Sequence, residues 1–254
     1  MDVNTRWVDL PSEAGRMALF VAEPDTAEQL PGLVYFHVLP GLNAQHRSMA
    51  VRLAAEGFVV AAPDLYHRVG YRTEFDFPRQ RDQAYQARQT ISQFGLAADS
   101  RVALNYLREH PNVAVDRIGT IGFCMGGTVA YLCAALNRDV QATAAVYGTA
   151  LVRNEPSTRT PITPLEMSEG ITGPVLWISA RGDPLVTRED ADAFARRMTE
   201  LGKPFECHVY DDESVGHAFF DEDIPEFYHA GAAEWGWPLI VEFLTRRLRD
   251  QGGD

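Results

Sequence analysis

The chain has 254 residues, of which 46% are apolar, and 35 acidic residues outnumber 23 Lys and Arg to give a formal net charge of −12 at pH 7. This acidic balance argues against nucleic acid or an anionic membrane as a partner, and no apolar run approaches the roughly 18 residues that a membrane-spanning helix needs. The three cysteines (Cys124, Cys133 and Cys207) lack metal-like spacing, and their small, odd number indicates reduced thiols in a cytosol. Because the first twenty residues contain no apolar signal segment, we expect a cytoplasmic protein.

Segments typical of strands and of helices alternate along the chain, which predicts an α/β fold with a mostly parallel central sheet and helices on both faces. Short apolar, β-rich runs predict strands at residues 33–38, 58–62, 117–123, 142–147, 174–180 and 206–210. The first helix is expected to be capped by Asn43 and to reach about residue 56. Further helices are expected at about 99–110, 125–136, 189–201 and 228–249.

Two segments interrupt this alternation. Residues 65–95 are polar and aromatic with many arginines, and residues 149–172 are rich in Pro, Thr and Glu. We predict that the first runs over the C-terminal edge of the sheet, that the second is a long surface loop, and that both excursions shape the pocket. Because no repeat, low-complexity tract or linker divides the chain, we expect residues 1–254 to form a single domain, and we take the protein to be a monomer.

The most informative motif is Gly-Phe-Cys-Met-Gly-Gly at residues 122–127, between a predicted strand and a predicted helix. A strand that turns sharply into a helix holds its apex residue at a strained dihedral angle, and small neighbours such as Gly122 and Gly126 let the backbone close around it. The Cys124 side chain then stands at the sheet edge above a helix N-terminus, which favours negative charge. The motif therefore predicts a nucleophile elbow with sulfur as the nucleophile. The alternative is a glycine-rich turn with a small buried thiol.

A nucleophile at such an elbow needs a base and a third group that orients the base. In the α/β-hydrolase fold these groups follow the nucleophile in the order acid, then histidine. Asp183 comes just after the predicted strand 174–180, and His217 lies in a polar loop after the last strand. Asp183 alone is also suited to capping a turn in its Gly-Asp-Pro segment. The order of all three groups predicts a triad of Cys124, His217 and Asp183.

Six other histidines compete with His217 for the role of base, since a single histidine is more often a structural residue than a catalyst. His37 ends a strand on the same sheet edge. The remaining five fit helix, strand or surface positions: His46, His67, His110, His208 and His229. His217 is favoured because it follows a glycine in a polar loop and precedes apolar residues that would anchor it.

The chemistry of sulfur then predicts a mechanism. A free thiol has a pKa of about 8.5, so His217 would take the proton of Cys124 while the acid holds the imidazole tautomer. Attack on a carbonyl carbon creates an oxyanion, which two backbone N–H groups should bind. We predict that these belong to Met125, directly after the nucleophile, and to Leu39, in the loop after the first parallel strand. Pro40 has no N–H, which limits the choice in that loop.

These motifs resemble the dienelactone hydrolase family, the carboxymethylenebutenolidase-like α/β hydrolases with a Cys–Asp–His triad. The resemblance extends from about residue 17 to residue 248, with its markers at residues 40–43, 62–66, 122–127, 182–183 and 216–219. It implies the α/β-hydrolase fold and a hydrolase of lactones or esters that uses no metal or other cofactor. It also places Cys124, Asp183 and His217 at the positions of the family's triad.

The resemblance further implies a substrate-binding role for Arg81 and Tyr85, which lie in a segment similar to one through which the family contacts its substrate. These residues are four positions apart, so they share a face if the segment is helical, and Arg88 lies near that face. A guanidinium group suits the binding of a carboxylate. The alternative is a solvated helix face whose arginines pair with acids such as Asp82.

Two positions depart from the family pattern. Characterised dienelactone hydrolases have a glutamate where Val38 stands at the expected pocket, and that carboxylate takes part in controlling the resting thiol. Valine cannot do so, so activation should depend on direct contact between Cys124 and His217. The family also has a carboxylate-binding arginine four residues after the histidine, where this chain has Asp221 followed by two more acidic residues. This acidic run predicts a neutral ester or lactone, or one bound from a different direction, in place of dienelactone.

The sequence therefore predicts a hydrolase that cleaves a small-molecule ester or lactone through a thioacyl-enzyme intermediate. One alternative is a catalytically weak family member that binds a small molecule, which the departures at Val38 and Asp221 favour. Another is the use of the same triad for thioester or C–C bond hydrolysis, because an elbow does not distinguish among carbonyl electrophiles.

Overall fold

One eight-stranded sheet forms the centre of the protein, which the computed structural model describes over residues 1–153 and 161–249. Its strands are β1 (Val3–Ser12), β2 (Gly15–Pro24), β3 (Leu30–Phe36), β4 (Val59–Pro63), β5 (Val113–Phe123), β6 (Ala142–Val146), β7 (Val175–Ala180) and β8 (Phe205–Tyr210). They lie in the order β1-β2-β4-β3-β5-β6-β7-β8. All pairings from β4 to β8 across the sheet are parallel, whereas β2 is antiparallel to both β1 and β4. The prediction of a mostly parallel sheet is confirmed.

The hairpin of β1 and β2 adds two strands that the sequence analysis did not predict, although residues 17–22 of β2 form an apolar run. β1 is an edge strand whose residues are all exposed or half-buried, so its apolar alternation is weak. Ser12 pairs with Gly15 across a two-residue turn, and Gly15 adopts a φ of 107° that glycine tolerates without strain. The hairpin therefore extends one edge of the sheet.

In the described part of the chain, six α-helices accompany the sheet: α1 (Ala44–Ala55), α2 (Arg81–Arg88), α3 (Gln93–Glu109), α4 (Met125–Leu136), α5 (Arg188–Glu200) and α6 (Ala230–Leu248). The predicted cap of α1 is present, because the Asn43 side chain accepts a hydrogen bond from the His46 backbone N–H. The predicted start of α3 at about residue 99 is wrong. This helix begins at Gln93, where the Ser92 side chain caps it by accepting from the Gly95 N–H.

The two predicted excursions both contain helical structure. Residues 65–95 include α2 and the first residues of α3. Residues 149–172 include a 3₁₀ helix at Pro164–Gly170, which Thr163 and Glu166 cap reciprocally. Residues 154–160 of this second segment lie outside the described part of the chain.

The central strands are covered on both faces. Every residue of β4, β6 and β7 is buried, and successive side chains of a strand point to opposite faces of a sheet. Both α4 and α6 pack on β5 and β6, and α4 is buried along most of its length. Within residues 1–153 and 161–249, no helix is both long enough and apolar enough to cross a membrane.

The parallel strands bring the residues that follow them to one edge of the sheet. His37 follows β3, Cys124 follows β5 and Tyr147 follows β6. The loop after β7 contains Asp183, and the loop after β8 contains His217. Residues that are far apart in the sequence therefore meet at this edge.

Candidate active site

Cys124 occupies a strained turn between β5 and α4. Its φ of 53° and ψ of −122° are rare for a residue with a side chain, and its N–H donates to the Val146 carbonyl at 3.0 Å. A Cβ on Gly122 would lie 2.1 Å from the Gly126 carbonyl oxygen, and a Cβ on Gly126 would lie 2.0 Å from the Phe36 carbonyl oxygen. The backbone therefore approaches too closely for any side chain at either glycine, as expected for an elbow.

Asp183 uses its two carboxylate oxygens for different partners. Oδ1 accepts hydrogen bonds from the backbone N–H groups of Leu185 at 2.8 Å and Val186 at 3.0 Å, and so caps the turn after β7. Oδ2 lies 2.7 Å from Nδ1 of His217. The carboxylate is fully buried, so both contacts form away from bulk water and are strengthened by the low local dielectric constant. Turn capping and imidazole binding are thus performed by the same side chain.

Aromatic packing holds the loop that carries His217. Phe219 and Phe220 are buried and pack against Tyr147. The ring of Tyr147 in turn packs edge-on against the imidazole, with 5.0 Å between the ring centroids. Ala218 has a φ of 64°, so the chain turns sharply after the histidine. These contacts restrict the imidazole to an orientation that faces Asp183.

The electrostatic surroundings of His217 favour its protonated form. Burial lowers the pKa of the imidazole, but the negative charge of a Cys124 thiolate and the hydrogen bond to Asp183 outweigh burial and raise the pKa to about 10. Nε2 is buried and makes no hydrogen bond of ordinary geometry with residues 1–153 or 161–249. The effect of Cys124 on the imidazole is therefore mainly one of charge.

The two backbone N–H groups predicted to bind an oxyanion lie in adjoining segments. Met125 is the first residue of α4, a position whose N–H has no partner within the helix. Leu39 lies in a turn closed by a hydrogen bond from the Gly41 N–H to the Val38 carbonyl at 3.0 Å. The Tyr66 hydroxyl donates to the Leu39 carbonyl at 2.8 Å. Because the elbow touches the end of β3, this turn and the start of α4 are close together.

His37, a competing candidate for the base, supports the same turn. Its ring is fully buried, with Nδ1 at 2.8 Å from the Val38 carbonyl oxygen and Nε2 at 3.1 Å from the Leu65 backbone nitrogen. Nε2 must accept from that N–H, so Nδ1 carries the proton and donates. Burial lowers the pKa of His37 to about 4. With both nitrogens occupied, the neutral ring positions the turn.

A cavity of about 480 Å³ contains both Cys124 and His217. Its walls are mainly apolar, and Val38 lines it with a side chain that is 2% exposed. Leu185 and Phe227 also line the cavity and are partly exposed to solvent. This size and lining suit a small, largely apolar molecule.

The predicted substrate-binding residues of α2 lie at the mouth of this cavity. Arg81 and Tyr85 both line it and are both exposed. The guanidinium carbon of Arg81 lies 5.5 Å from the centroid of the Tyr85 ring, within cation–π range. Arg88 lines a separate cavity of about 100 Å³. The described residues of 149–172 also line neighbouring cavities, and the Cys124 cavity contains none of them.

Asp221 lines the Cys124 cavity too, and its partner is a histidine that was not predicted from the sequence. Its Oδ1 lies 3.1 Å from Nε2 of His46, and Nδ1 of His46 contacts the Tyr35 hydroxyl. All three side chains are buried. His46 and Asp221 are 175 positions apart, and the one local signal was a histidine on the inner face of a predicted helix.

The other two cysteines, Cys133 and Cys207, do not line the Cys124 cavity. Burial raises the pKa of Cys133 to about 12 and that of Cys207 to about 11, so both are protonated and poorly nucleophilic at neutral pH. Among residues 1–153 and 161–249, no three His, Cys, Asp or Glu side chains are grouped so as to hold a metal ion.

The fold is that of an α/β-hydrolase: a mostly parallel sheet, a strained turn at Cys124 before α4, and Asp183 and His217 after later strands. The protein belongs to the dienelactone hydrolase family, whose family model matches residues 17–248. The resemblance seen in the sequence is confirmed, and with it the prediction of an ester or lactone hydrolase.

Individual comparisons agree with this assignment. The chain is 32% identical over 213 residues to a carboxymethylenebutenolidase from Rhodococcus opacus, covering 82% of this chain and 78% of that protein. It is 28% identical over 242 residues to a Bradyrhizobium sp protein assigned as a 2-oxo-3-(5-oxofuran-2-ylidene)propanoate lactonase, covering 95% and 94%. A crystal structure from Klebsiella pneumoniae, assigned as a dienelactone hydrolase, has a TM-score of 0.86 at 24% identity and covers 97% of this chain and 100% of that chain. This last similarity shows the shared fold.

Proposed function

We propose that the protein hydrolyses a small ester or lactone through a thioacyl intermediate on Cys124, with His217 and Asp183 completing the triad. The observation that carries this proposal is the coupling of all three groups. Nδ1 of His217 is 2.7 Å from Asp183, and Cys124 contributes to raising the pKa of the same imidazole to about 10. Cys124 and His217 face one cavity that admits a small molecule.

In the first half-reaction, the thiolate of Cys124 attacks the carbonyl carbon of the substrate. The bond from that carbon to the alcohol oxygen then breaks, and the imidazolium of His217 gives its Nε2 proton to the leaving alkoxide. In the second half-reaction, the neutral imidazole takes a proton from water while the water oxygen attacks the thioester carbon. The C–S bond breaks, the acid product leaves, and the thiolate–imidazolium pair is restored.

Backbone groups bind the oxyanion that forms in each half-reaction. The N–H groups of Leu39 and Met125 donate to it, and loss of one such donor typically reduces kcat about 10²–10³-fold. His37 and Tyr66 hold the Leu39 turn through its two neighbouring carbonyl groups. The position of the Leu39 N–H is therefore set before substrate binds, which is what electrostatic stabilisation requires.

Val38 determines how the thiol is activated. Its side chain is buried and lines the cavity, and it has no atom that accepts a proton or a hydrogen bond. Cys124 is therefore activated by His217 directly. The pair does not need a substrate-triggered switch.

Substitution and acyl trapping test this proposal. Wild-type protein should hydrolyse 4-nitrophenyl butyrate and the neutral lactone dihydrocoumarin, and Cys124→Ala should lose both activities. Cys207→Ser is the matched control, because it removes a thiol outside the cavity and should retain turnover. Mass spectrometry of acid-quenched wild-type enzyme should find a butyryl group on the peptide that contains Cys124.

Each other outcome has a definite meaning. Full activity of Cys124→Ala would end the proposal. Ligand binding without turnover by the wild-type protein would favour the small-molecule-binding alternative. Hydrolysis of thioesters or C–C bonds with no turnover of oxygen esters would favour a different reaction of the same triad.

We further propose that the enzyme works in the cytoplasm as a monomer with one domain. The three cysteines are all free, which suits a reducing compartment, and all eight strands belong to one sheet. Light scattering after size-exclusion chromatography tests the monomer, and a dimer mass would contradict it. Cell fractionation tests the location.

A further inference from the structure

Charge is distributed unevenly in the cavity that contains Cys124. The Arg, Lys, Asp and Glu residues that line it are Arg81, Asp221 and Glu226. Arg81 and Glu226 are exposed, so water and salt screen their opposite charges. Asp221 is 5% exposed, so its charge is screened much less. The mouth of the cavity is therefore close to neutral, and its inner wall is negative.

Hydrogen bonds hold Asp221 at this wall. Nε2 of His46 lies 3.1 Å from its Oδ1, and the other ring nitrogen of His46 contacts the Tyr35 hydroxyl. Burial and the charge of Asp221 keep the pKa of Tyr35 well above its ordinary value, so the hydroxyl retains its proton and can donate to His46. His46 can then donate from Nε2 to Asp221.

Within residues 1–153 and 161–249, no Arg or Lys side chain pairs with this carboxylate, and its single ion-pair partner within 4.0 Å is His46. The same charge also contributes to holding the pKa of the buried Tyr147 well above its ordinary value, after the effect of burial. Tyr147 packs on the imidazole of His217, so Asp221 acts on a side chain that contacts the proposed triad.

We propose that Asp221 selects substrates that carry a positive charge near the scissile carbonyl group, such as a small ester or lactone with an ammonium substituent. A fixed, poorly screened carboxylate attracts a cation and repels an anion that enters the same cavity. At position 221, where the family resemblance implies a positively charged arginine, this chain has a negatively charged aspartate. The inference rests on the proposed hydrolase function, because it concerns the same cavity.

Charged thiol reagents test the field without requiring ester turnover. In a Cys207→Ser background, Cys124 is treated with the cationic reagent 2-(trimethylammonium)ethyl methanethiosulfonate and with the anionic 2-sulfonatoethyl methanethiosulfonate. The ratio of the two rates is divided by the ratio for 2-mercaptoethanol in solution. We expect a corrected ratio of about 10 or more in favour of the cation, which corresponds to about 1.4 kcal/mol.

Two variants identify the source of the preference. Asp221→Asn keeps an oxygen that can accept from His46 and should lower the corrected ratio about 10-fold. Glu226→Gln removes the same charge from the exposed rim and should change the ratio less than about threefold. A wild-type ratio of one or below overturns the proposal without any variant, and so does an Asp221→Asn ratio equal to that of the parent.

Ester hydrolysis then tests the substrate class. Three 4-nitrophenyl esters of equal length, with acyl chains ending in a methyl, a trimethylammonium or a carboxylate group, are compared by kcat/KM after correction for alkaline hydrolysis. The cationic ester should exceed the anionic ester at least about 10-fold, and Asp221→Asn should remove most of that difference. Absence of turnover with all three esters would refute the proposed hydrolase function. The rates of Cys124 modification by the two charged thiol reagents would still test the role of Asp221. Turnover without a charge preference would refute the role of Asp221 alone.

Discussion

Replacing Cys124 with alanine is expected to lower the pKa of His217 by about three pH units. Burial lowers that pKa, and the opposing contributions of Cys124 and Asp183 raise it to about 10. Opposite charges about 4 Å apart at an effective dielectric constant of about 20 attract by about 4 kcal/mol, which corresponds to about three pH units. Alanine removes this attraction and leaves the contact with Asp183, so the imidazole should titrate near about 7.

Nuclear magnetic resonance measures this change directly. Long-range proton–nitrogen correlation spectra of protein with labelled histidines follow each imidazole from about pH 5 to about pH 11, a range chosen to bracket the expected pKa values. A His217→Gln spectrum identifies the signals of His217 by their absence. Cys207→Ser is the matched control, because it removes a sulfur atom outside the cavity and should leave the titration unchanged.

Two outcomes of the His217 titration would contradict this prediction. If His217 of the wild-type protein titrates near its ordinary value and Cys124→Ala does not change it, the thiol and imidazole do not form a charged pair. If the pKa is high in both proteins, Asp183 sustains it without Cys124. Either result would contradict the proposed charge coupling between Cys124 and His217.

Three further predictions concern the groups that support the site. Asp183→Asn keeps the Oδ1 turn acceptor but loses the charge facing His217. We expect kcat to fall about 10³–10⁴-fold in steady-state kinetics, while the free energy of unfolding measured in urea changes little. Gly126→Ala places a Cβ 2.0 Å from a backbone oxygen and should lower the free energy of unfolding by about 3 kcal/mol in urea titrations, whereas Gly216→Ala meets no atom within 4 Å and serves as the control. His37 has a folded-state pKa of about 4, below its unfolded value, so the unfolded state binds more protons between about pH 4 and about pH 6.5. The associated stability, about 3 kcal/mol, is present above that window and lost as the pH falls through it, and urea titrations of His37→Gln should lack that part of the pH dependence.

Each of these predictions has an outcome that contradicts it. If Asp183→Asn lowers the free energy of unfolding enough to leave little folded enzyme, the loss of kcat would indicate a purely structural role for the carboxylate. Similar unfolding midpoints for Gly126→Ala and Gly216→Ala would show that the elbow relaxes around an added methyl group. An unchanged pH dependence in His37→Gln would show that the buried ring does not limit stability in acid.

The sheet edge and its three aligned groups could be predicted because their determinants are local. Close backbone approach requires glycine at positions 122 and 126, so the elbow is visible in a few consecutive residues. Asp183 and His217 follow strands directly, and the parallel topology then brings both to the edge where Cys124 lies. Alternation of strands and helices was sufficient to predict that topology.

Features that depend on long-range contact or on weak patterning were not predictable. His46 looked like an ordinary helix residue, because its partner Asp221 is 175 positions away. The first turn of α3 presents Phe94 to solvent at 75% exposure, which obscures the amphipathic pattern that would locate its start. The residues of β1 are nowhere fully buried, so period-two alternation does not mark that strand.

The contact between the elbow and the end of β3 has a consequence for engineering new specificities. Because no methyl group fits between Gly126 and Phe36, main-chain packing alone sets the spacing between the nucleophile and the turn at 38–41. The cavity walls come from other segments, including α2 and the loops after β7 and β8. A directed-evolution library that randomises wall positions such as Tyr85, Leu185 and Phe227 should therefore retain a high fraction of folded, reactive clones. A library at the glycines should retain almost none.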